Sequence, residues 1–287
     1  MSYTQITRGA DPNRPYLAYL HLMEPHNPYR PPERYLEIFP PGEGRHLYAN
    51  GPPEPGFTDD DLRHMTALYS GEIRFFDDGL RRLVAALAEL SDLGNTLIVV
   101  TADHGEELLD HGGLGHGKTV ELELLRIPFV FGGGVAERWA GRIVEEPVRN
   151  LDLAPTFAEL AGLDIPAELE GRSLLPLLNG DGCDVPPVSF AWNAKLRSLT
   201  SADWHCMRIQ GSDRITLYHR PSDPAGLTDV AVDHPEIATL CISELDRLED
   251  LKRESEKEAR ALKAMETGGI QSDKVLEQLE ALGYIEE

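Results

Sequence analysis

The sequence predicts an α/β domain built on a mainly parallel sheet flanked by helices, followed by a small antiparallel sheet and further helices. Three observations carry that expectation. A continuous β-branched run, Thr96–Thr101, follows a long amphipathic helix pattern. Strand and helix patterns alternate as far as Gly182. Beyond it the chain reads as short strands joined by tight turns.

Tyr16–His21 is apolar and aromatic and reads as a buried strand. A proline-rich loop follows from Pro25 to Pro55, where the prolines forbid helix and favour an extended path. Thr58 followed by Asp61 is a capping-box variant that opens the long helix. Its apolar stripe is Leu62, Met65, Tyr69, Ile73, Phe76, Leu80, Leu83, Leu87 and Leu90, in steps of three and four. Gly94-Asn95 stops it, and Thr96–Thr101 then has the composition of a central parallel strand. Pro128–Phe131 is a second strand, and Asp152–Gly162 is a short helix with a glycine stop. Lys195–Thr200, Trp204–Ile209 and Arg214–His219 read as hairpin-linked strands. A charged helix spans Glu236–Met265, and a last one Asp273–Leu282. Residues 14–182 form the expected α/β domain, and 183–287 a C-terminal subdomain in which the Glu236 helix covers the antiparallel sheet.

Composition narrows the function classes. Forty-nine acids against 27 bases give a formal charge of −22, a field that repels nucleic acid and anionic membrane. No apolar run reaches the ~20 residues of a membrane span, and residues 1–15 lack the apolar core of a signal peptide. The default expectation is cytoplasmic. Cys183, Cys206 and Cys241 make neither a disulfide framework nor a zinc-knuckle spacing.

The chemistry concentrates in Thr101–Lys118. Asp103 and His104 stand just past the C-terminal end of the Thr96 strand, the edge where open α/β sheets bind ligands. Carboxylate and imidazole suit a divalent cation, oxygen favouring calcium or magnesium and nitrogen favouring zinc or manganese. Gly105 lets the backbone turn tightly beside them. His111 and His116 follow in a glycine-rich loop. Taken singly, such an Asp is more often a helix cap and such a His a satisfied surface residue. Clustered after a core strand, they point to a site. His26, between Pro25 and Pro28, lies past the first expected strand and is predicted to converge on the same cavity.

The ordered motifs resemble the sulfatase family of the alkaline phosphatase superfamily. They are His21-x-x-Glu-Pro-His-x-Pro-Tyr29, the helix segment Tyr69–Asp78, Asn95–Glu106, His111–Gly117 and Leu125–Pro128. Val148–Thr156, Gly171–Pro176, Leu217-Tyr218 with Ser222–Pro224, and Leu279–Tyr284 resemble later family motifs. The resemblance implies an alkaline-phosphatase-like fold and metal-dependent hydrolysis of sulfate esters. In that chemistry a formylglycine hydrate attacks sulfur, a divalent metal (calcium in most members) holds the reacting oxygens, and a histidine protonates the leaving oxygen. By motif, Asp103 and His104 would be metal ligands and His26 the leaving-group acid. His116 would be the basic residue contacting substrate, with Lys118 the runner-up.

The Cys/Ser-x-Pro-x-Arg motif that becomes formylglycine does not occur in the 287 residues. Asp77-Asp78 lies within a helix pattern and is a poor candidate for the family's paired-acid ligands. The expectation is therefore the C-terminal portion of a sulfatase, from a split, truncated or alternatively started gene. A separate N-terminal polypeptide would complete the fold. An isolated chain is then expected to expose apolar surface. Two other readings stay open: a phosphodiester or phosphonate monoester hydrolase of the same superfamily, and a non-catalytic binding subunit.

Overall fold

The structure, a computed structural model, describes residues 16–45, 51–90, 93–182 and 188–266. Cys183, the expected helix at Asp273–Leu282 and the motif at Leu279–Tyr284 lie outside them. The chain divides into two compact units, Met1–Asp233 and His234–Glu287.

In the first unit, α1 (Glu33–Leu36) and α2 (Asp59–Leu90) lead to β1 (Ile98–Thr101), the hairpin β2 (Glu107–Leu108) and β3 (Leu114–Gly115), and α3 (Leu122–Leu125). Then come β4 (Phe129–Gly132), α4 (Leu153–Leu160), α5 (Leu175–Asn179) and the strands β5 (Ser189–Trp192), β6 (Leu196–Thr200), β7 (Trp204–Ile209) and β8 (Ile215–His219). The second unit holds α6 (Pro235–Glu266). Its residues Ala238, Cys241, Leu245 and Glu249 recur every three or four positions along one face. No described helix is long and apolar enough to cross a membrane.

The capping box forms as expected. The Thr58 amide donates to Asp61 Oδ2 (2.9 Å), and the Asp61 amide donates to Thr58 Oγ1 (3.2 Å). The stripe of α2 departs from expectation in its middle, where Ile73 is exposed and Leu68 is buried beside Met65. The proline loop packs on the flank of α2 at Gly71, where an added Cβ would lie 2.8 Å from the Pro31 ring. That docking selects the buried face. Asp77 and Asp78 are occupied by Arg74 and Arg81 along the same helix.

Three expectations are corrected. Tyr16–His21 pairs with no strand among the described residues and is exposed, Tyr19 by 84%. Apolar content favours a strand only where a neighbour completes its ladder. The expected parallel sheet is not seen among the described residues, since β1 pairs with β4 antiparallel, Ile98 opposite Gly132 and Thr101 opposite Phe129. A β-branched run specifies burial, not the direction of its neighbour. Lastly, the proline loop holds one turn of helix, α1, because Pro32 precedes it at the N-cap, where a missing N–H costs nothing.

The C-terminal strands pair in the order β5-β6-β7-β8, all antiparallel, and β7 spans Trp204–Ile209 as the sequence predicts. This sheet belongs to the first unit. One core gathers Ala136, Trp139, Leu174, Leu177 and Leu178, with Phe129 and Phe131 of β4 packed against it. Another packs Tyr29 of the proline loop with Met65 and Leu68 of α2 and Leu114 of β3. The second core brings the two histidine-bearing loops together.

Candidate functional site

Asp103 and His104 follow β1 after a single residue, Ala102. The end of that strand is pinned from outside. Asn150 Nδ2 donates to the Ala102 carbonyl (2.9 Å), and Thr101 Oγ1 donates to Asn150 Oδ1 (3.0 Å). Asn150 sits in a 3-10 turn fixed by fully buried Asp152, which accepts from Arg149 (2.8 Å) and from the Arg172 amide (3.0 Å). Past the strand, the Gly105 amide donates to Leu124 O (2.8 Å). A Cβ on Gly105 would lie 1.9 Å from Glu123 O, so only glycine permits this approach.

Three of the expected histidines meet here. The His104 and His116 rings stack with centroids 4.2 Å apart, and His26 lies 5.3 Å from His116. His116 Nδ1 donates to Glu106 Oε1 (3.0 Å), while Glu106 Oε2 accepts from the Tyr29 hydroxyl (2.7 Å). Glu106 raises the His116 pKa through that hydrogen bond, against the opposing effect of burial. Burial, with Glu106 second, raises the Tyr29 hydroxyl far above its ordinary range. The backbone of the His26 loop is gripped by buried Glu72 of α2. Its Oε2 accepts from the His26 amide (3.2 Å) and its Oε1 from the Arg30 amide (2.6 Å).

The His104–Asp103 pair has the chemistry of a partial cation site. His104 Nδ1 faces the Gly105 carbonyl at 2.8 Å, an acceptor, so Nδ1 carries the proton and Nε2 presents a lone pair. That Nε2 is 3.8 Å from Asp103 Oδ1. Two ligands of one divalent ion lie ~3–4 Å apart. Asp103 is 63% exposed and His104 39%, so both are reachable. The donors fit a divalent cation in kind and spacing. They do not complete its shell, because among the described residues no group of three or more His, Cys, Asp or Glu side chains is arranged to hold one.

His111 and Lys118 are not part of the cluster. His111 donates from Nδ1 to Glu123 Oε1 (2.9 Å) and from Nε2 to Gly226 O (2.8 Å), with Glu121 Oε2 at 3.6 Å. Both partners only accept, so both ring nitrogens carry protons and His111 is a structural imidazolium. Burial lowers its pKa, but the Gly226 carbonyl and the carboxylates outweigh it and the net shift is upward. Lys118 is exposed, with no ionic partner shown among the described residues.

Sequence reasoning missed Glu72, Glu106, Tyr29 and Asn150. Glu106 and Tyr29 stand inside the two richest motifs, which was the available signal. Glu72 and Asn150 also stand inside motifs, Tyr69–Asp78 and Val148–Thr156, but their partners lie 42 to 49 residues away in the chain, which no local pattern shows.

Comparison with known proteins matches the Sulfatase family model over residues 2–163. The multifunctional alkaline phosphatase superfamily protein PehA of Trinickia caryophylli is 40% identical over 121 residues, covering 41% of this chain and 23% of that protein. The uncharacterized sulfatase YidJ of Escherichia coli K12 is 28% identical over 243 residues, covering 76% of this chain and 47% of that protein. The chain thus spans less than half the length of either relative. Among solved structures, a 2-O GAG sulfatase aligns with a TM-score of 0.60 at 22% identity, covering 71% of this chain and 46% of that one, and shows the fold alone. The phosphonate monoester hydrolase of Agrobacterium radiobacter aligns with a TM-score of 0.57 at 27% identity, covering 69% of this chain and 43% of that one. The family match extends over more than half of the 287 residues and takes in all of the converging histidines, and the chain belongs to the sulfatase family.

Proposed function

We propose that this chain carries the metal-binding and proton-transfer half of a sulfuric ester hydrolase. The convergence of His26, His104 and His116 beyond β1, within the family-matched region, carries the reading. Family members use a divalent metal, and Asp103 and His104 would supply two of its ligands, calcium being the expected ion and zinc or manganese the alternatives. The metal would supply charge stabilisation to the reacting oxygens, and a formylglycine from outside these 287 residues the nucleophile. His26 is half-buried and would protonate the leaving oxygen. His116, held by Glu106, would place a cation beside the anionic ester in a chain that is otherwise strongly acidic. Lys118 is the second candidate for that contact, from an exposed and less constrained position. Residues 14–182 would carry the site, and the antiparallel sheet that follows belongs to the same compact unit. A separate N-terminal polypeptide would lie against the exposed apolar segment at Tyr16–Met23.

A second reading has its own support, since a phosphonate monoester hydrolase is among the structural neighbours. Parallel turnover of an aryl sulfate and an aryl phosphodiester separates the two. The chain would be assayed alone and together with a family N-terminal segment containing Cys-x-Pro-x-Arg. The proposal expects background rates from the chain alone and faster sulfate than phosphodiester turnover from the pair. Faster phosphodiester turnover would favour the second reading, and no gain on pairing would favour a non-catalytic binding subunit.

A further inference from the structure

Glu72 is a carboxylate buried in the middle of α2, only 5% exposed, with no arginine or lysine paired to it among the described residues. Burial raises its pKa, and the compensating groups are the amides of Arg30 and His26, followed by the His26 side chain. A charged group in that position is costly unless hydrogen-bonded. Here each oxygen takes one amide of the same loop, at 2.6 Å from Arg30 and 3.2 Å from His26. The preceding residue is Gly71, where any β-carbon would collide with Pro31 of that loop. A glycine in a helix interior is less favourable than alanine. Gly71 is thus a residue that an isolated helix disfavours and Glu72 a carboxylate that burial disfavours, and both serve the seating of the His26–Pro31 segment. The loop is held from its other side as well, because the Tyr29 hydroxyl donates to Glu106, the same carboxylate that holds His116.

We propose that Glu72 is a positioning residue. It is a two-pronged acceptor that holds the backbone on both sides of Asn27–Tyr29 and so sets the approach of His26 to His116, now 5.3 Å between ring centroids. The functional weight of that approach rests on the sulfatase reading, whereas the positioning itself does not. Two charge-assisted bonds from one rigid helix specify the loop more tightly than its side-chain packing alone. The neutral isostere glutamine keeps the volume and one acceptor oxygen, but turns an NH2 group toward one of the two amides.

The test uses the full chain with Glu72→Gln and Glu72→Ala, read by amide hydrogen exchange and by the NMR cross-peak between the His26 and His116 rings. Neither readout needs turnover, so its failure is distinct from failure of the sulfatase reading. In Glu72→Gln, one of the amides His26 and Arg30 is expected to exchange at least tenfold faster and the ring cross-peak to weaken, while the β7 amides keep their protection. In Glu72→Ala both amides should lose protection. A merely structural residue would lower global protection and leave the cross-peak of the folded molecules intact. That pattern, or wild-type exchange at both amides in Glu72→Gln, overturns the proposal. If Glu72→Ala does not fold, the glutamine variant decides alone.

Discussion

Replacing Asp152 by alanine removes the acceptor at the centre of the turn that steadies the end of β1. Asp152 is fully buried, and its Oδ2 accepts from the Arg149 amide (2.9 Å) and Arg149 Nε (3.3 Å). Its Oδ1 accepts from Arg149 Nη2 (2.8 Å) and the Arg172 amide (3.0 Å). Alanine would orphan two backbone amides and leave a guanidinium without its carboxylate. Breaking a buried pair from one side costs about 3–5 kcal/mol. Arg149 is 22% exposed and also donates to the Val188 carbonyl (3.2 Å), so it recovers some hydration and the lower end applies. A loss of about 3 kcal/mol corresponds to a fall in Tm of roughly 6–12 °C, measurable by calorimetry. Asp152→Asn retains one acceptor oxygen and should lose about half as much. A loss below about 1 kcal/mol for the alanine variant, or equal losses for the two, would refute the assignment of Asp152 as the anchor.

Two other perturbations test the packing around the same loops. Gly105→Ala places a methyl 1.9 Å from the Glu123 carbonyl oxygen, so the loop must shift, and the His104 and His116 ring resonances should move while the β5–β8 strands keep theirs. Unchanged ring resonances would mean that the close approach does not set the loop. His205 is fully buried, and burial, then Arg220, lowers its pKa from 6.5 to about 4. A histidine depressed in the folded state costs nothing above 6.5 and loses stability as pH falls from 6.5 toward 4. The wild type should therefore lose about 3 kcal/mol more than His205→Gln over that interval in urea titrations. Parallel pH profiles would contradict a buried neutral His205.

Much of this architecture was legible because its determinants are local. The Thr58–Asp61 box, the strand Trp204–Ile209 and the helix from Pro235 to Glu266 are each specified by neighbours within a few positions. The meeting of His26, His104 and His116 could be expected from their place after apolar runs and from the ordered motifs, although the run before His26 forms no strand here. What escaped depends on distant partners. Tyr16–His21 has strand composition but no ladder neighbour among the described residues, and β1 met an antiparallel partner that composition could not name. Glu72 looks like any helix-surface acid until the loop from His26 to Arg30 is laid over it. His111 belongs by spacing to the histidine cluster, yet Glu123 and Gly226, the latter 115 residues away, draw it elsewhere.

The most direct test of the account is the dependence of hydrolysis on Asp103. The chain is paired with a family N-terminal segment bearing Cys-x-Pro-x-Arg, and turnover of a chromogenic aryl sulfate is measured with calcium, with and without Asp103→Ala. Asp103 is exposed, so the variant should fold as the parent does. The account predicts turnover from the pair that falls to background in the variant. Turnover unaffected by Asp103→Ala would contradict it, and so would activity of the chain alone that Asp103→Ala abolishes, since the chain would then carry its own nucleophile.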